Sequence, residues 1–240
     1  MPTIIRVDMR EEVRVAPQLG IISRALRTAL ADCLGNREQA LLFLNRRGYC
    51  PILSCPSCGY VKQCTNCAVS LTYHAAAERI VCHLCGHAER YLPPYICPEC
   101  RTRLNICGFG TQRVEKHLAY LFPQARIGRM DRDTTVRRGS HERILSAFGH
   151  GEIDILLGTQ MIAKGLDFPN VTVVGVINAD TALHVPDFRA AEVTCQLITQ
   201  VAGRAGRGSK AGTVFVQSYI PDAHAVRLAV AGDWSGFARE

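Results

Sequence analysis

Four Cys-x-x-Cys pairs within 46 residues constrain the fold of this 240-residue chain more than any other feature. The pairs are Cys55/Cys58, Cys64/Cys67, Cys82/Cys85 and Cys97/Cys100. Cysteines spaced in this way place two sulfurs on one tetrahedral ion at about 2.3 Å, and two pairs complete a four-thiolate site. The first residues lack the pattern of a secretion signal, which favours a reducing compartment and metal binding over disulfide bonds. The sequence therefore predicts two Zn²⁺ ions per chain.

The spacing between the pairs ranks the three ways of combining them. Five residues separate Cys58 from Cys64, a short span for two pairs on one ion. Between Cys67 and Cys82 lie 14 residues, which is an ordinary zinc-ribbon dimension. We therefore expect nested sites, an inner one of Cys64, Cys67, Cys82 and Cys85 and an outer one of Cys55, Cys58, Cys97 and Cys100. Closed sites of this kind have no open coordination position, so the predicted role is structural. The alternative is that some pairs form disulfides or are redox-active.

The remaining cysteines and nearby histidines receive plainer interpretations. His74, His83 and His87 are expected at the surface, because full sets of thiolates leave them no vacancy on the metal. Isolated cysteines usually behave as small buried apolar residues. This expectation covers Cys33, Cys50, Cys107 and Cys195.

Outside the cysteine-rich segment, apolar runs alternate with helical periodicity. Continuous Val, Ile and Leu strands between helices indicate a parallel sheet covered on both faces. Helices are predicted within 19–34 and at 111–121, 140–148 and 190–201, and strands at 40–44, 126–130, 153–157, 171–177 and 213–217. The predicted organisation is an α/β lobe split into 1–49 and 109–231, an inserted metal module at 50–108, and the start of a further domain at 232–240.

Composition and charge exclude some classes of protein and leave others open. With 48% apolar residues the chain can bury an ordinary core. It has no apolar run of about 18 residues that would span a membrane, so we expect a cytoplasmic protein. Binding two Zn²⁺ through eight thiolates lowers the formal charge from +7 to roughly +3. Arginines between Arg126 and Arg143 fit a solvated surface or a phosphate-binding face equally well.

Two segments carry the strongest functional signal. The first, 158–171, reads Gly-Thr-Gln-Met-Ile-Ala-Lys-Gly-Leu-Asp-Phe-Pro-Asn-Val, and the second, 200–208, reads Gln-Val-Ala-Gly-Arg-Ala-Gly-Arg-Gly. They resemble motifs V and VI of superfamily 2 helicases. Three stretches resemble the PriA-type replication-restart helicases. They are the first segment itself, the sequence Phe-Leu-Asn-Arg-Arg-Gly at 43–48, and the sequence Asp-Arg-Asp-Thr-Thr at 131–135. These helicases also insert a double zinc module here, so the resemblance spans nearly the whole chain and implies a RecA-like lobe.

Chemistry and resemblance together assign roles to residues of these motifs. Arg204 and Arg207, three apart at a helix end, can place guanidinium groups against a γ-phosphate, and Gln200 lies one turn before them. Gly203 and Gly206 allow close approach of another surface, and the resemblance places Gly165 and Asp167 at the nucleotide. DNA phosphate contacts are expected from Thr159, Gln160 and Lys164, although Lys164 fits a solvated position equally well. Asp180, Asp187 and Arg189 also resemble the family; a structural role is at least as well supported for them.

The sequence lacks the parts that would bind ATP phosphates. A P-loop needs a Gly-rich turn followed by Lys, yet none of the four lysines, Lys62, Lys116, Lys164 and Lys210, follows a glycine. An Asp-Glu pair for Mg²⁺ is also missing. We therefore expect a second helicase lobe whose N-terminal partner lobe lies elsewhere, with the chain beginning near the lobe boundary, ending before a last domain, and inactive towards ATP by itself.

The leading hypothesis is that the chain is part of an ATP-dependent 3′–5′ DNA helicase that assembles primosomes and restarts stalled forks. The resemblance implies ATP and Mg²⁺ in the intact protein. It also implies as partners forked or single-stranded DNA, primosome proteins and single-stranded DNA-binding protein. The alternative is a non-catalytic zinc-ribbon module that binds DNA or protein. A zinc-dependent hydrolase is poorly supported, because no open-coordination ligand set is visible.

Overall fold

The chain folds around two β-sheets. The computed structural model describes residues 2–16, 20–44, 51–107, 110–131, 134–135, 139–159, 162, 168–185, 187–208 and 210–239, with the side chains of 107 and 238 excepted. The strands are β1 (Thr3–Asp8), β2 (Gln39–Phe43), β3 (Ile52–Ser54), β4 (Thr72–His74), β5 (Arg79–Val81), β6 (Ala88–Arg90), β7 (Asn105–Cys107), β8 (Ile127–Met130), β9 (Ile155–Gly158), β10 (Val171–Val176) and β11 (Thr213–Ser218). The α-helices are α1 (Met9–Val15), α2 (Arg24–Gly35), α3 (Thr111–Leu121), α4 (Ser140–Gly149), α5 (Ala190–Ala202), α6 (His224–Ala231) and α7 (Trp234–Arg239).

The larger sheet has six strands in the order β1-β11-β10-β2-β9-β8, and all of its pairs are parallel. Strands β2, β9 and β10 are buried along their whole length, because helices cover both faces. On one face, α4, α5 and α6 pack on a cluster that includes Phe148, Ile198 and Val226. On the other, α2 and α3 pack through Leu26, Leu30 and Leu118. The predicted doubly covered parallel sheet is confirmed.

Local sequence explains where individual elements begin. Helix α2 starts after Ser23, whose hydroxyl accepts a hydrogen bond from the Leu26 amide at 3.2 Å, as an N-cap does. Predicted α3 has the bounds expected, and other helix and strand ends shift by a few residues. The predicted strand at 153–157 begins two residues late, because the Asp154 carboxylate accepts a hydrogen bond from the Arg126 amide at 2.8 Å and lies in the connecting turn.

Four elements of this lobe were not predicted. Strand β1 pairs with β11 at the sheet edge through a register from Thr3↔Thr213 to Asp8↔Ser218. Its apolar residues do not alternate clearly enough to predict a strand. At the edge of the sheet, Ile5 is partly exposed. Helices α1, α6 and α7 are short, and tertiary packing defines them. Helix α6 contacts α5 and β1, α7 contacts α6, and Met9 of α1 lies in the cluster beneath α2 and α3.

The smaller sheet is formed by the cysteine-rich segment. Its strands, three residues each, lie in the order β6-β5-β4-β3-β7 and are all antiparallel. The segment leaves the large sheet after β2 and returns to it at α3. Its core contains four cysteines among eight buried residues. Among the residues described, no helix is long and apolar enough to cross a membrane.

Candidate metal centres and motor motifs

The four Cys-x-x-Cys pairs share one backbone geometry. In each pair the first cysteine's carbonyl accepts a hydrogen bond from the amide of the residue after the second cysteine, at 2.9–3.0 Å. Each first cysteine's amide in turn donates to the carbonyl five residues on, at 2.7–2.8 Å. The residue after the second cysteine has a positive φ in all four, at Gly59, Ala68, Gly86 and Arg101. These turns aim both sulfurs of a pair to one side.

The structure brings the cysteines together in two groups of four. One group is Cys55, Cys58, Cys97 and Cys100; the other is Cys64, Cys67, Cys82 and Cys85, and within each group the sulfurs lie within 4.8 Å of one another. The distances between sulfurs are 3.4 Å for Cys55/Cys100, 3.6 Å for Cys58/Cys97 and 3.7 Å for Cys64/Cys85. Tetrahedral bonds of about 2.3 Å place sulfurs about 3.8 Å apart. The donor set and its dimensions therefore fit Zn²⁺, in the nested grouping that the spacing predicted.

The thiols within each group differ in acidity. A side-chain hydrogen bond from Thr102 lowers the pKa of Cys100 to about 6, and the His87 backbone lowers the pKa of Cys85 to about 7. Burial raises the pKa of Cys58 to about 12, and the hydrogen bond with Cys85 raises the pKa of Cys67 to about 12. Each group thus pairs an acidic thiol with one that holds its proton. Metal binding must release such protons, so it is expected to weaken as the pH falls.

The outer cysteine group packs on the segment that directly follows β11 of the large sheet. A Cβ atom on Gly59 would lie 2.7 Å from the Tyr219 carbonyl oxygen and 2.9 Å from Ile220 Cγ2. Beside this contact is a cleft of about 40 Å³, lined by residues of both sheets' loops, among them Ser54, Val61, Asp180, His184 and Tyr219. The contact requires glycine at this turn because any side chain would meet the backbone after β11.

Asp180 makes structural contacts beneath this cleft. Its carboxylate accepts hydrogen bonds from Ser218 Oγ at 2.5 Å and from the Tyr219 amide at 2.6 Å. It is 3% exposed, and burial raises its pKa to about 6. Half-buried His184 lines the same cleft, and burial lowers its pKa to about 4. These contacts fix the loop on which the outer cysteine group rests, which agrees with the structural interpretation of Asp180.

The single cysteines and the histidines lie mostly where they were expected. Cys33 and Cys195 are buried, 2% and 1% exposed, whereas Cys50 and the side chain of Cys107 lie outside the described residues. His83 is exposed and His74 is half-buried, with their Nε2 atoms 3.1 Å apart. His87 is also half-buried. Each group has four sulfurs without them.

The predicted catalytic arginines lie where α5 ends. Gln200 is exposed in the last turn of α5, and Gly203 follows the helix with its amide donating to the Thr199 carbonyl at 3.1 Å. Arg204 is half-buried, while Arg207 is exposed and its Nε donates to the Gly203 carbonyl at 2.7 Å. The loop thus holds the Arg207 guanidinium at the end of α5, and Arg204 directly follows the residue that ends the helix.

The glycines after Arg204 allow this loop to pack against neighbouring backbone. Gly206 has φ +67°, and a Cβ there would lie 2.4 Å from the Gly212 amide nitrogen. A Cβ on Gly208 would lie 2.4 Å from the Pro169 carbonyl oxygen. Gly203, by contrast, has no neighbour closer than 3.6 Å. Of the two glycines at which close approach was predicted, Gly206 therefore has a close backbone neighbour and Gly203 does not, and Gly208 has one that was not predicted. Gly212 was missed, because a lone glycine before a strand gives no pattern.

The first motif connects the carboxyl end of β9 to the amino end of β10, and these lie at opposite ends of the parallel strands. Thr159 follows the carboxyl end of β9, is 8% exposed, and its amide donates to the Met130 carbonyl at 3.3 Å. The Gly206 amide bonds instead to the carbonyl of Val171, at the amino end of β10. Through β2, Gly158 is level with Val176, five residues beyond Val171. Since a strand rises about 3.3 Å per residue, Thr159 and the arginine loop lie roughly 17 Å apart along the sheet.

Several residues singled out in the sequence lie outside the described part of the chain. They are Gln160, Lys164, Gly165, Asp167, residues 45–48 of the segment Phe-Leu-Asn-Arg-Arg-Gly, and Arg132, Asp133, Arg137 and Arg138. Ile162 within the first motif is described and is fully buried in the α4–α6 face. Asp131 is also fully buried, and its carboxylate accepts hydrogen bonds from Thr111 and from the Thr134 amide.

The described arginines between Arg126 and Arg143 are engaged by other side chains. Arg126 pairs with Asp154 at 2.5 Å, and Arg129 pairs with Glu115 at 3.1 Å and Asp131 at 3.3 Å. Arg143 lies 3.4 Å from Ser140 Oγ. Guanidinium groups in close ion pairs attract phosphate weakly, so Arg126 and Arg129 favour an ion-paired surface over a phosphate-binding face, whereas the position of Arg143 fits both.

A parallel six-stranded lobe with an arginine loop, interrupted by a module with two four-cysteine groups, defines the C-terminal lobe of a helicase with an inserted zinc ribbon. Family comparisons agree with that class. Residues 99–209 match the helicase conserved C-terminal domain, and residues 64–90 match the PriA DNA helicase Cys-rich region domain. The second match contains all four inner-site cysteines.

Whole-chain relatives identify the family more narrowly. The chain is 53% identical over 238 residues to the replication restart protein PriA of Bacillus subtilis, covering 99% of this chain and 29% of that protein. It is 44% identical over 242 residues to PriA of Synechocystis, again covering 99% of this chain and 29% of the relative. The chain belongs to the PriA family and spans less than a third of the length of these relatives.

A solved structure supports the fold independently of close sequence similarity. The structure of RecG bound to a three-way DNA junction aligns with 99% of this chain and 21% of that chain, with a TM-score of 0.51 and 13% identity. At this identity the likeness concerns the fold of the helicase lobe alone.

Proposed function

We propose that this chain is the second motor lobe of an ATP-dependent 3′–5′ DNA helicase that assembles primosomes and restarts stalled replication forks. The observation that carries the proposal is the 53% identity to a replication restart protein over 99% of the chain. The parallel lobe and the two four-cysteine groups support it. The proposed division is a lobe from 1–49 and 109–231, a zinc module at 50–108, and the start of a further domain at 232–240.

The arginine loop would supply one wall of an ATP site. Arg204 and Arg207 carry fixed positive charge and follow α5 directly, so they can meet a γ-phosphate that the N-terminal lobe holds with Mg²⁺. An arginine in this position accelerates phosphoryl transfer by about 10³ to 10⁵. Gln200, one turn earlier, would orient the attacking water, and Gly203, Gly165 and Asp167 would line the nucleotide. The chain by itself is then inactive towards ATP.

The carboxyl ends of the strands, opposite the arginine loop, would contact DNA. Thr159 lies at the carboxyl end of β9, and Gln160 and Lys164 follow it in sequence. Contacts from these residues to phosphates carry no sequence information, which suits a motor that moves along any strand. The first motif joins this end of the sheet to the arginine loop through the contact between Pro169 and Gly208. Closure of the cleft on ATP would therefore change the contacts with DNA.

The zinc module would serve binding rather than chemistry. Each four-cysteine group closes its coordination sphere, so Zn²⁺ there organises the module and activates no water. Primosome proteins, single-stranded DNA-binding protein and the N-terminal lobe are the proposed partners, in the cytoplasm. A stand-alone binding module is not favoured, because the described arginines between Arg126 and Arg143 are ion-paired or hydrogen-bonded.

Replacing the arginines in the full-length protein that carries this chain tests the ATPase role. We expect Arg204→Ala and Arg207→Ala each to lower DNA-stimulated ATP hydrolysis by at least 10³-fold, with little change in DNA affinity. Arg27→Ala, at an exposed position of α2 on the other face, is the matched control. ATPase activity within twofold of the control in both arginine variants would overturn the assignment.

The mass of the native polypeptide tests whether the native protein carries the proposed N-terminal lobe. An antibody against the zinc module should detect a protein well above 26.4 kDa in extracts of the source cells. A native mass near 26.4 kDa would contradict the motor assignment and leave a zinc-bearing binding module.

A further inference from the structure

Phe188 is the most exposed large apolar side chain of the described residues, at 94%. Burying a phenylalanine side chain stabilises a fold by about 1.5–3 kcal/mol. Phe188 contributes almost none of this, because its side chain is almost fully exposed. Single exposed apolar residues are common and need no explanation by themselves. The surroundings of Phe188, described next, are what distinguish it.

A short turn holds Phe188 outward at the start of α5. The Asp187 carboxylate accepts a hydrogen bond from the Arg189 amide at 2.8 Å, and the Asp187 carbonyl accepts one from the Ala190 amide at 2.9 Å. The Arg189 guanidinium carbon lies 5.4 Å from the centroid of the Phe188 ring. The Arg189 Nε also lies 3.7 Å from Asp187 Oδ1, and both side chains are exposed. The turn therefore presents an aromatic ring beside a solvent-exposed ion pair.

This turn lies on the side of the lobe where we propose that DNA runs. It follows the 3₁₀ helix Ala179–Ala182 at the carboxyl end of β10, and Thr159 follows the carboxyl end of β9. Both segments lie on the α4–α6 face, through α5 and Ile162. Only β2 separates β10 from β9, so the carboxyl ends of these two strands lie two strand spacings, about 10 Å, apart.

We propose that Phe188 is a stacking platform for a base of the single strand whose phosphates pass Thr159, with Arg189 contacting an adjacent phosphate. The proposal rests on the proposed function, because it requires single-stranded DNA at the carboxyl ends of β9 and β10. Aromatic rings stack on any base, so the contact would be independent of sequence. The exposed ion pair between Arg189 and Asp187 is weak, so a phosphate can replace Asp187 as the partner of the guanidinium. A base with its phosphate therefore complements the turn better than an apolar protein surface does.

Equilibrium binding of fluorescent oligo(dT) to the full-length protein that carries this chain tests the platform. We expect Phe188→Ala to weaken binding roughly tenfold, within the range of about 5- to 150-fold that one stacked base gives. Phe188→Leu should behave like Phe188→Ala, because it keeps apolar area without a ring, and Phe188→Trp should retain wild-type affinity. Tyr120→Ala is the matched control, since Tyr120 is 81% exposed on α3, which packs on the other face.

The dependence of affinity on salt separates the two residues. Loss of stacking should lower affinity equally at all salt concentrations, whereas Arg189→Ala should reduce the slope of log K against log salt by about 0.7, the value of one phosphate contact on a single strand. Crosslinking with 5-iodouracil in the oligonucleotide should join the DNA to the peptide containing Phe188.

Three results would overturn the proposal. Wild-type affinity in both Phe188→Ala and Phe188→Leu would exclude the platform, and so would crosslinks that map only elsewhere. Wild-type affinity in Phe188→Leu alone would assign the position to apolar packing against protein. Absence of all oligo(dT) binding by the wild-type protein would instead contradict the proposed function itself, and the inference with it.

Discussion

The large lobe and the cysteine-rich module reach a fixed fold by different means. The lobe buries two apolar clusters, one on each face of a sheet whose central strands are wholly covered. The module has three-residue strands and a core of eight residues, of which Cys55, Cys64, Cys82 and Cys97 are four. A core of that size does not stabilise a fold by itself, so the module depends on what its sulfurs bind. The lobe does not.

Removing metal should have the largest effect, and only on the module. We expect two zinc ions per chain by elemental analysis, and a structural Zn²⁺ contributes about 10 kcal/mol or more to folding. A strong chelator should therefore abolish hydrogen-exchange protection of amides in β3–β7 while leaving β9 and β10 protected. Loss of protection in both sheets would show that the lobe also depends on the metal, and unchanged protection in the module would contradict its proposed organisation.

Leu156→Ala should produce the converse result. Leu156 is fully buried in β9, between β2 and β8, and such truncations cost about 2–5 kcal/mol. Chemical denaturation should show a less stable lobe, with the zinc content still two per chain. The exposed Leu84, 64% exposed in the module, supplies the control, because Leu84→Ala should leave both properties unchanged. Zinc loss in Leu156→Ala would mean that the two regions unfold as one.

Gly59→Ala and Gly86→Ala test the contact between the module and the lobe. Both glycines follow a Cys-x-x-Cys pair with φ of +80° and +76°, yet only a Cβ on Gly59 meets the Tyr219 carbonyl, while Gly86 has nothing within 4 Å. Both changes should incur backbone strain of about 1 kcal/mol, and Gly59→Ala an additional 1–3 kcal/mol, approximately, for the clash. Thermal unfolding measures the difference. Equal destabilisation would argue against the packing of the outer cysteine group on the sheet.

The smallest expected effect concerns pH and the cleft beneath that contact. The raised pKa of Asp180, about 6, gives stability that is present at low pH and is lost as the pH rises through 6. The lowered pKa of His184, about 4, acts in the opposite direction, because its contribution is lost as the pH falls below the ordinary value of about 6.5. Between pH 7 and 5.5 the two oppose each other in the wild-type protein.

Asp180→Asn should therefore unmask the histidine. Acidification from pH 7 to 5.5 should destabilise this variant more than the wild type, by somewhat less than about 1 kcal/mol in the denaturant-derived free energy of unfolding. His184→Gln should show the reverse sign. Measurements in excess zinc control for metal release, and equal pH dependence in all three proteins would show that neither group titrates in this window.

The sequence alone determined the parts of this protein that depend on local pattern. Cys-x-x-Cys spacing gave the grouping of the eight cysteines, because short loops restrict which sulfurs can meet. Continuous apolar strands indicated a parallel sheet, since only strands covered on both faces need no polar side, and α3 and α5 followed from helical periodicity. The order of the two motifs and of the cysteine pairs was sufficient for the family resemblance.

Tertiary structure decided what depends on residues distant in sequence. Strand β1 exists because β11 offers an edge more than 200 residues away, and Gly206, Gly208 and Gly59 need their glycine because of backbone that folds against them. The burial of Asp180 and the ion pair of Arg126 with Asp154 arise in the same way. Such contacts join segments whose separation along the chain carries no periodic signal, so only the packed fold reveals them.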